Sequence, residues 1–313
     1  MATTFPATNP QTVTPLTLDA LGEIVLRQSD EDKARRWGGT VRQNLSGTPI
    51  ADLQQALADV GVYTSTVDGQ FGPGTLAALR RFQWFVINSR YRLRVTAGAA
   101  PVTGVVTQYP VNARVLFTGQ CDAVTATELR AWTTGFFRTT SLLVRVPVSR
   151  FTNITRAATF TTLAYPQAAD DEVLVNGNFA GLDTLDGAAR GADLQLRLNQ
   201  TFRVQGIAPR GAVVAPATRS QHLIGHAVDL NIVVAGTVIV SSQFNARTAP
   251  KEATDFVASA KAGGLRWGGD FGDTDPPHYD RPVTVAEDYD MNFFFCQRAY
   301  AAQHPLRQIG VEP

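Results

Sequence analysis

The apolar positions of the chain change period several times, and each change marks an element. Leu53, Leu57 and Val60 recur at i, i+4 and i+7, the stripe of one helix face. A run of turn residues follows, Val67-Asp-Gly-Gln-Phe-Gly-Pro-Gly-Thr75, with Thr75 placed to cap the next helix. Leu76, Leu79 and Phe82 then form a second helical face. Tyr91–Val95 and the Gly104-Val-Val-Thr run read as β, and Gly119–Leu129 reads as a turn leading into another helix. From Arg138 to Asn153 the pattern alternates through Leu142, Val144, Val146 and Val148, as in a connecting strand or an extended linker.

The C-terminal half mixes both periods. A helix is predicted from Leu182 to Ala192, and a half-buried strand where Leu194, Leu196 and Leu198 alternate with polar residues. Further strands are predicted at Ala227–Val234 and Thr237–Val240. A helix is predicted from Thr254 to Gly263, with Phe256, Val257 and Ala260 on one side. Helices and strands without regular βαβ alternation predict an α+β domain. The first 18 residues, rich in Thr and Pro, read as an irregular lead, followed by a helical stretch from Leu18 to Arg27. The charged run Asp30–Arg36 reads as a solvated face.

Composition adds few constraints. The 313 residues are 44% apolar and 18% charged, enough to bury a full core in one or two domains. A formal net charge of +1 gives no global field for nucleic acid, and no apolar run is long enough to span a bilayer. The N-terminus lacks a basic region followed by an apolar one, so no cleavable Sec signal is expected. Cys121 and Cys296 form no CxxC pair and read as two separate thiols rather than a bridge.

Four histidines occur, and their placement carries the chemistry. His222 and Asp229 lie in Ser220-Gln-His-Leu-Ile-Gly-His-Ala-Val-Asp229, and His278 closes Asp275-Pro-Pro-His278. Two imidazoles and a carboxylate suit one zinc ion with an open fourth position, the arrangement of catalytic rather than structural sites. Ala227 and Asp229 share a strand face. Gly225 is placed to reverse the chain with positive φ so that His222 folds back, and Pro276-Pro277 stiffen the approach to His278. Asp275, three residues before the last ligand, is a further carboxylate for proton transfer. His226 falls on the opposite strand face, His304 reads as a surface residue, and Asp270, Asp273 and Asp280 read as loop carboxylates.

These residues resemble the LAS-type zinc peptidases, the D-Ala-D-Ala carboxypeptidase and L-alanyl-D-glutamate endopeptidase family. Its S-x-H-x-x-G-x-A-x-D element is matched at Ser220, His222, Gly225, Ala227 and Asp229, and its D/E-x-x-H element at Asp275 and His278. Leu265–Phe271 and Tyr279 supply the aromatic context of the second element. The resemblance covers about residues 170 to 295. It implies His222, Asp229 and His278 as ligands of one Zn²⁺ and Asp275 as general base. It also implies Arg203 as a group for the oxyanion or a substrate carboxylate, with Arg210 or Arg219 as alternatives. Ser220 is implied as a substrate or supporting contact, and Trp267 as a residue lining the cleft.

The N-terminal half resembles the three-helix peptidoglycan-binding domain, through Asp68-Gly-Gln-Phe-Gly-Pro-Gly-Thr75 and the Phe82-Gln83 pair. Asp68, Gly69 and Phe71 are the wall-binding candidates by this resemblance. The chain departs from that family by a β-rich insertion at about 86–117. The expected organisation is a lead or attachment segment (1–45), the binding domain with its insertion (46–137), a linker or connecting strand (138–165) and an α+β peptidase domain with a small antiparallel sheet (166–313). The implied activity is hydrolysis of a stem or cross-link peptide bond in peptidoglycan, at L-Ala-D-Glu or a D-Ala-containing bond. The alternatives are D-Ala-D-Ala carboxypeptidase action, or a non-catalytic zinc-containing wall-binding component of a phage or injection machine. Peptidoglycan is the expected partner, with docking to such a machine as a further one. The expected place of action is the bacterial cell wall, from the periplasm or outside, reached by lysis, holin-type release or a secretion machine.

Overall fold

The computed structural model describes residues 49–96, 104–158, 160, 171–206, 219–301 and 306–309. The predicted helix at Leu18–Arg27, the charged run Asp30–Arg36, Arg210 and His304 lie outside them. Two compact units divide the chain, Met1–Thr140 and Ser141–Pro313. No helix among the described residues is long and apolar enough to cross a membrane.

The first unit holds α1 (Pro49–Asp59), α2 (Pro73–Asn88), β1 (Tyr91–Val95), β2 (Gly104–Gln108), α3 (Ala123–Thr134) and β3 (Phe137–Thr139). The strands form one sheet in the order β2-β1-β3, antiparallel throughout. The apolar stripes close its core, with Leu53, Leu57, Val60, Leu79 and Phe82 all fully buried. Helix α2 starts differently from the expectation. Gly72 is its N-cap and Pro73 occupies the first turn, where a missing N–H costs nothing. Thr75 lies inside the helix, accepting from Gln54 Nε2 at 2.9 Å and donating to the Gln70 carbonyl at 3.1 Å.

Two buried glutamines hold the two interhelical loops in the same way. Gln54 Oε1 accepts from the amides of Asp68 and Gly69, at 3.0 and 2.8 Å. Gln83 Oε1 accepts from Gly119 N at 2.8 Å, and its Nε2 donates to the Gln120 carbonyl at 2.8 Å. A buried amide that satisfies several backbone groups at once makes a rigid loop.

The second unit contains β4 (Leu143–Pro147), β5 (Ile154–Arg156), β6 (Glu172–Asn176), α4 (Gly181–Gly191), β7 (Gln195–Gln200), β8 (Ala227–Val234), β9 (Thr237–Ile239), α5 (Ser241–Asn245), α6 (Lys251–Ala262), β10 (Arg266–Trp267), β11 (His278–Asp280), α7 (Ala286–Ala301) and β12 (Arg307–Gln308). The larger sheet runs β10-β11-β8-β7-β5, with β9 also paired to β8, and the smaller runs β12-β4-β6. The stretch 138–165 thus supplies β4 and β5, each paired into a sheet of this unit. The unit is α+β with small sheets, as the mixed periodicity predicts.

Strand β8 decides where the site sits. Val228, Leu230 and Ile232 point into the core beside Leu196 and Leu198 of β7, Leu185 of α4 and Phe256 of α6. Period 2 then puts Ala227, Asp229 and Asn231 on the opposite face. Burying the apolar set, at about 1.5 to 3 kcal/mol per large side chain, fixes the strand register. It therefore fixes which way Asp229 points.

Candidate metal centre

Three elements bring the site together. Asp229 lies on β8, and antiparallel pairing of β11 sets His278 directly opposite it. His222 comes from a 3₁₀ turn, Gln221–Ile224, that ends at Gly225. Gly225 has φ 69°, the left-handed region that glycine enters without steric cost. A Cβ there would lie 2.5 Å from the Asn176 amide nitrogen, so the chain passes closer to β6 than any side chain allows. The reversal that the sequence assigns to Gly225 is present, and it turns His222 back over the strand.

The donor atoms converge. His222 Nε2 lies 3.1 Å from Asp229 Oδ1 and 3.1 Å from His278 Nδ1, and His278 Nδ1 lies 3.2 Å from Asp229 Oδ1. Ligands placed tetrahedrally around zinc at its usual bond lengths would be about 3.3 Å apart. The second nitrogen of each ring shows how these three atoms could take a cation. His222 Nδ1 faces the Thr201 carbonyl at 2.6 Å, and His278 Nε2 faces Asp280 Oδ2 at 3.2 Å. Both partners only accept, so each neutral ring carries its proton there and turns a lone pair inward. Two lone pairs and a carboxylate oxygen in mutual contact repel unless a metal ion or added protons lie between them. His222, Asp229 and His278 form a group that could hold a metal ion.

The electrostatics of the group are dominated by its own charges. Burial pushes the His278 pKa down, but hydrogen bonds and charge from Asp229 and Asp280 outweigh it and raise it to about 9. Burial pushes Asp229 up, yet the two imidazoles hold it well below the usual carboxylate range. Arg203 donates from Nη2 to Asp229 Oδ2 at 2.8 Å and from Nε to Gln200 Oε1 at 2.5 Å. It therefore sits in the site, braced against the Asp229 carboxylate. Arg219, the alternative arginine, pairs with Asp290 on α7 instead, at 3.1 Å.

Asp275 reaches the site through a turn. The His278 amide donates to the Asp275 carbonyl at 2.9 Å across the two prolines, and the Asp275 amide donates to the Gly268 carbonyl at 2.9 Å. The three-residue spacing is thus the i to i+3 closure of a β-turn. Gly268 is required because a Cβ would lie 2.2 Å from the Asp275 carbonyl oxygen. Burial raises the Asp275 pKa above the usual carboxylate value, and the charge of Asp229 raises it further.

Asp280 is not a loop carboxylate. It is a β11 residue, 1% exposed, held by Arg266 through Nε at 2.8 Å and Nη2 at 2.6 Å. The signal was present as His278-Tyr-Asp280, because residues two apart on a strand share a face. Trp267 donates its indole N–H to the Pro276 carbonyl at 2.8 Å and meets Phe244 edge-on at 5.3 Å. It braces the segment that carries Asp275. The Ser220 carbonyl accepts from Tyr289 Oη at 2.9 Å and from the Leu223 amide at 3.0 Å, closing the turn that carries His222. His226 faces away from the trio, its Nδ1 at 3.2 Å from the Arg281 carbonyl. In the first unit Phe71 is 1% exposed, so its ring packs in the core and is not presented to a polymer. Asp68 and Gly69 shape the loop held by Gln54.

Residues 214–281 match a family model described as D-alanyl-D-alanine carboxypeptidase, and residues 46–86 match one for a peptidoglycan binding domain. The first match spans the whole donor set, from before His222 to beyond His278 and Asp280. The second covers α1, the loop after it and α2 as far as residue 86. No curated protein matches the chain. By these matches the segment bearing the metal-type trio is similar to the D-alanyl-D-alanine carboxypeptidase family, in one chain with a segment similar to the peptidoglycan-binding family.

Proposed function

We propose that this protein is a zinc-dependent peptidase that hydrolyses a peptide bond in the stem or cross-link of peptidoglycan. The supporting observation is the convergence of His222 Nε2, Asp229 Oδ1 and His278 Nδ1 as three inward lone-pair donors at 3.1 to 3.2 Å. One zinc ion held by these three would supply Lewis acidity, polarising a carbonyl and acidifying water. The Asp275 carboxylate takes the proton of the attacking water and delivers it to the leaving amine nitrogen. Arg203 compensates the negative charge of Asp229, and its proposed task is to hold the oxyanion or a substrate carboxylate.

The wall-binding module is proposed to span 46–137, with the β1–β2 hairpin inside the insertion at about 86–117, and the peptidase domain to take in not only 166–313 but also β4 and β5, which pair into its sheets. Tethering the peptidase to a wall-binding module raises its effective concentration at the polymer. An endopeptidase acting within the wall fits this arrangement. The description of the matching family favours carboxypeptidase action at D-Ala-D-Ala as the second reading.

The test is digestion of purified sacculi by the zinc-loaded protein, with muropeptides read by mass spectrometry. New N-terminal D-Glu identifies cleavage at L-Ala-D-Glu, and free D-Ala identifies carboxypeptidase action. Asp275→Ala is expected to keep one equivalent of zinc and lose product release. Equal release by the variant and the parent protein would overturn the proposed proton transfer.

A further inference from the structure

Helix α7 grips the turn that carries His222. Tyr289, Asn292, Cys296 and Gln297 fall at i, i+3, i+7 and i+8, one stripe of the helix. Tyr289 Oη donates to the Ser220 carbonyl at 2.9 Å, and Cys296 Sγ donates to the Ile224 carbonyl at 3.5 Å. Asn292 Oδ1 accepts at 2.8 Å from Asn176 Nδ2, which also donates to the Ile224 carbonyl at 3.1 Å. The helix begins at Ala286, after the matched residues 214–281, and Arg203 lies before them. The family match therefore reaches neither.

Gln297 does more than grip the turn. The segment Thr201–Gln205 runs beside it, with His222 Nδ1 facing the Thr201 carbonyl at 2.6 Å and the Arg203 amide donating to the His222 carbonyl at 3.0 Å. Further along, the Arg203 and Leu223 carbonyls come to one place. Two carbonyl oxygens cannot bond each other, but a primary amide has two N–H donors and can join them. Gln297 Nε2 donates to the Leu223 carbonyl at 2.6 Å and to the Arg203 carbonyl at 3.0 Å. Its Oε1 accepts from the Gln205 amide at 2.9 Å. One side chain thus serves three backbone groups on two segments.

We propose that Gln297 is a positioning residue for the metal group, joining the His222 turn to the Arg203 segment so that the donors stand ready before an ion arrives. The two segments carry different parts of the site. His222 lies on one, and the other carries Arg203, whose guanidinium holds the Asp229 carboxylate at 2.8 Å. Joined at their backbones, they fix His222 relative to Asp229 from outside the β8–β11 pair. A site already in its bound geometry has no ordering cost left to meet when the ligand binds. The assignment rests on the zinc-dependent reading above.

The test uses the full-length protein and three variants. Gln297→Met keeps the length of the side chain and removes its donors. Gln297→Glu keeps the acceptor for Gln205 and sets a carboxylate against two carbonyls. Met291→Ala is the control, since it removes buried volume from the same helix and its parent side chain has no donor for either segment. Zinc affinity is read by competition with a chromophoric chelator, and ligand geometry by the visible spectrum of the cobalt-loaded protein. Zinc binding is expected to weaken by about tenfold in Gln297→Met and by about a hundredfold in Gln297→Glu, the range for groups that orient metal ligands. Both should alter the cobalt spectrum. Met291→Ala should lower the melting temperature and keep the parent's zinc affinity and spectrum. Parent-like affinity and spectrum in both Gln297 variants would overturn the positioning role, as would equal weakening in Met291→Ala. No zinc binding by the parent protein would overturn both this role and the peptidase reading. The expected weakening, with a parent protein that binds zinc but releases nothing from sacculi, would keep the role and reject the peptidase reading alone.

Discussion

His278 Nε2 lies 3.2 Å from Oδ2 of Asp280, a carboxylate two residues along the same strand that is itself gripped by Arg266. The pair settles which nitrogen of His278 is free to face Asp229 and His222. Carboxylate partners of metal-binding histidines fix the ring and raise its basicity, and their loss commonly costs 10- to 100-fold in metal affinity. Asp280→Asn keeps the shape and removes the charge. Zinc affinity, measured by competition with a chromophoric chelator, is expected to fall by about that factor. Unchanged affinity would show that the strand alone orients His278.

Gly225 and Gly236 both have positive φ, 69° and 82°, but only Gly225 is crowded. Gly236→Ala should cost only the backbone strain, about 1 kcal/mol. Gly225→Ala adds a clash with the β6 backbone, so about 2 kcal/mol or more is expected, together with loss of zinc as His222 is displaced. Urea unfolding of the two variants side by side separates strain from crowding. Equal costs would reject the close approach as the reason for Gly225.

His226 predicts an acid limb in the stability profile. Burial is the main cause that lowers its pKa, and the nearby Arg281 charge adds to it. The folded protein therefore resists a proton that the unfolded chain accepts from about pH 6.5 downward. Stability should fall as the pH drops below about 6.5 and level off below the folded pKa. His226→Gln should show a smaller loss over that interval in denaturant titrations at a series of pH values. A parallel pair of profiles would exclude His226 as the source.

Both cysteines are free and buried, Cys121 in the first unit and Cys296 in the second. Burial pushes the Cys121 thiol up to about 12, with the Asp122 charge adding to it, and burial also pushes Cys296 well above the usual thiol range. Since the thiolate is the reactive form, neither is expected to react with a disulfide reagent at pH 8 in the native protein. Both should react in denaturant. Fast labelling of the folded protein would contradict this burial.

Much of the candidate site was legible because its parts are local. His222, Gly225, Ala227 and Asp229 lie within eight residues, where strand period and glycine geometry act directly. The Asp275–His278 spacing is one β-turn. The apolar periods likewise mark α1, α2, β7 and β8, because each element must bury one face. Asp280 was misread because its neighbours in sequence resemble a loop. Its role depends on Arg266, brought alongside by β10–β11 pairing. Phe71 was misassigned for the related reason that an aromatic residue looks the same in a sequence whether it lines a surface or packs inside.

By itself, then, the sequence determined the donor types, their order and the alternation that aims Asp229 away from the core. Only the tertiary structure decided which ring nitrogens face inward and that Arg203 rather than Arg219 meets Asp229. These depend on register between strands far apart in the chain, such as His278 opposite Asp229. Such register is set by the packing of the whole core and not by any one segment.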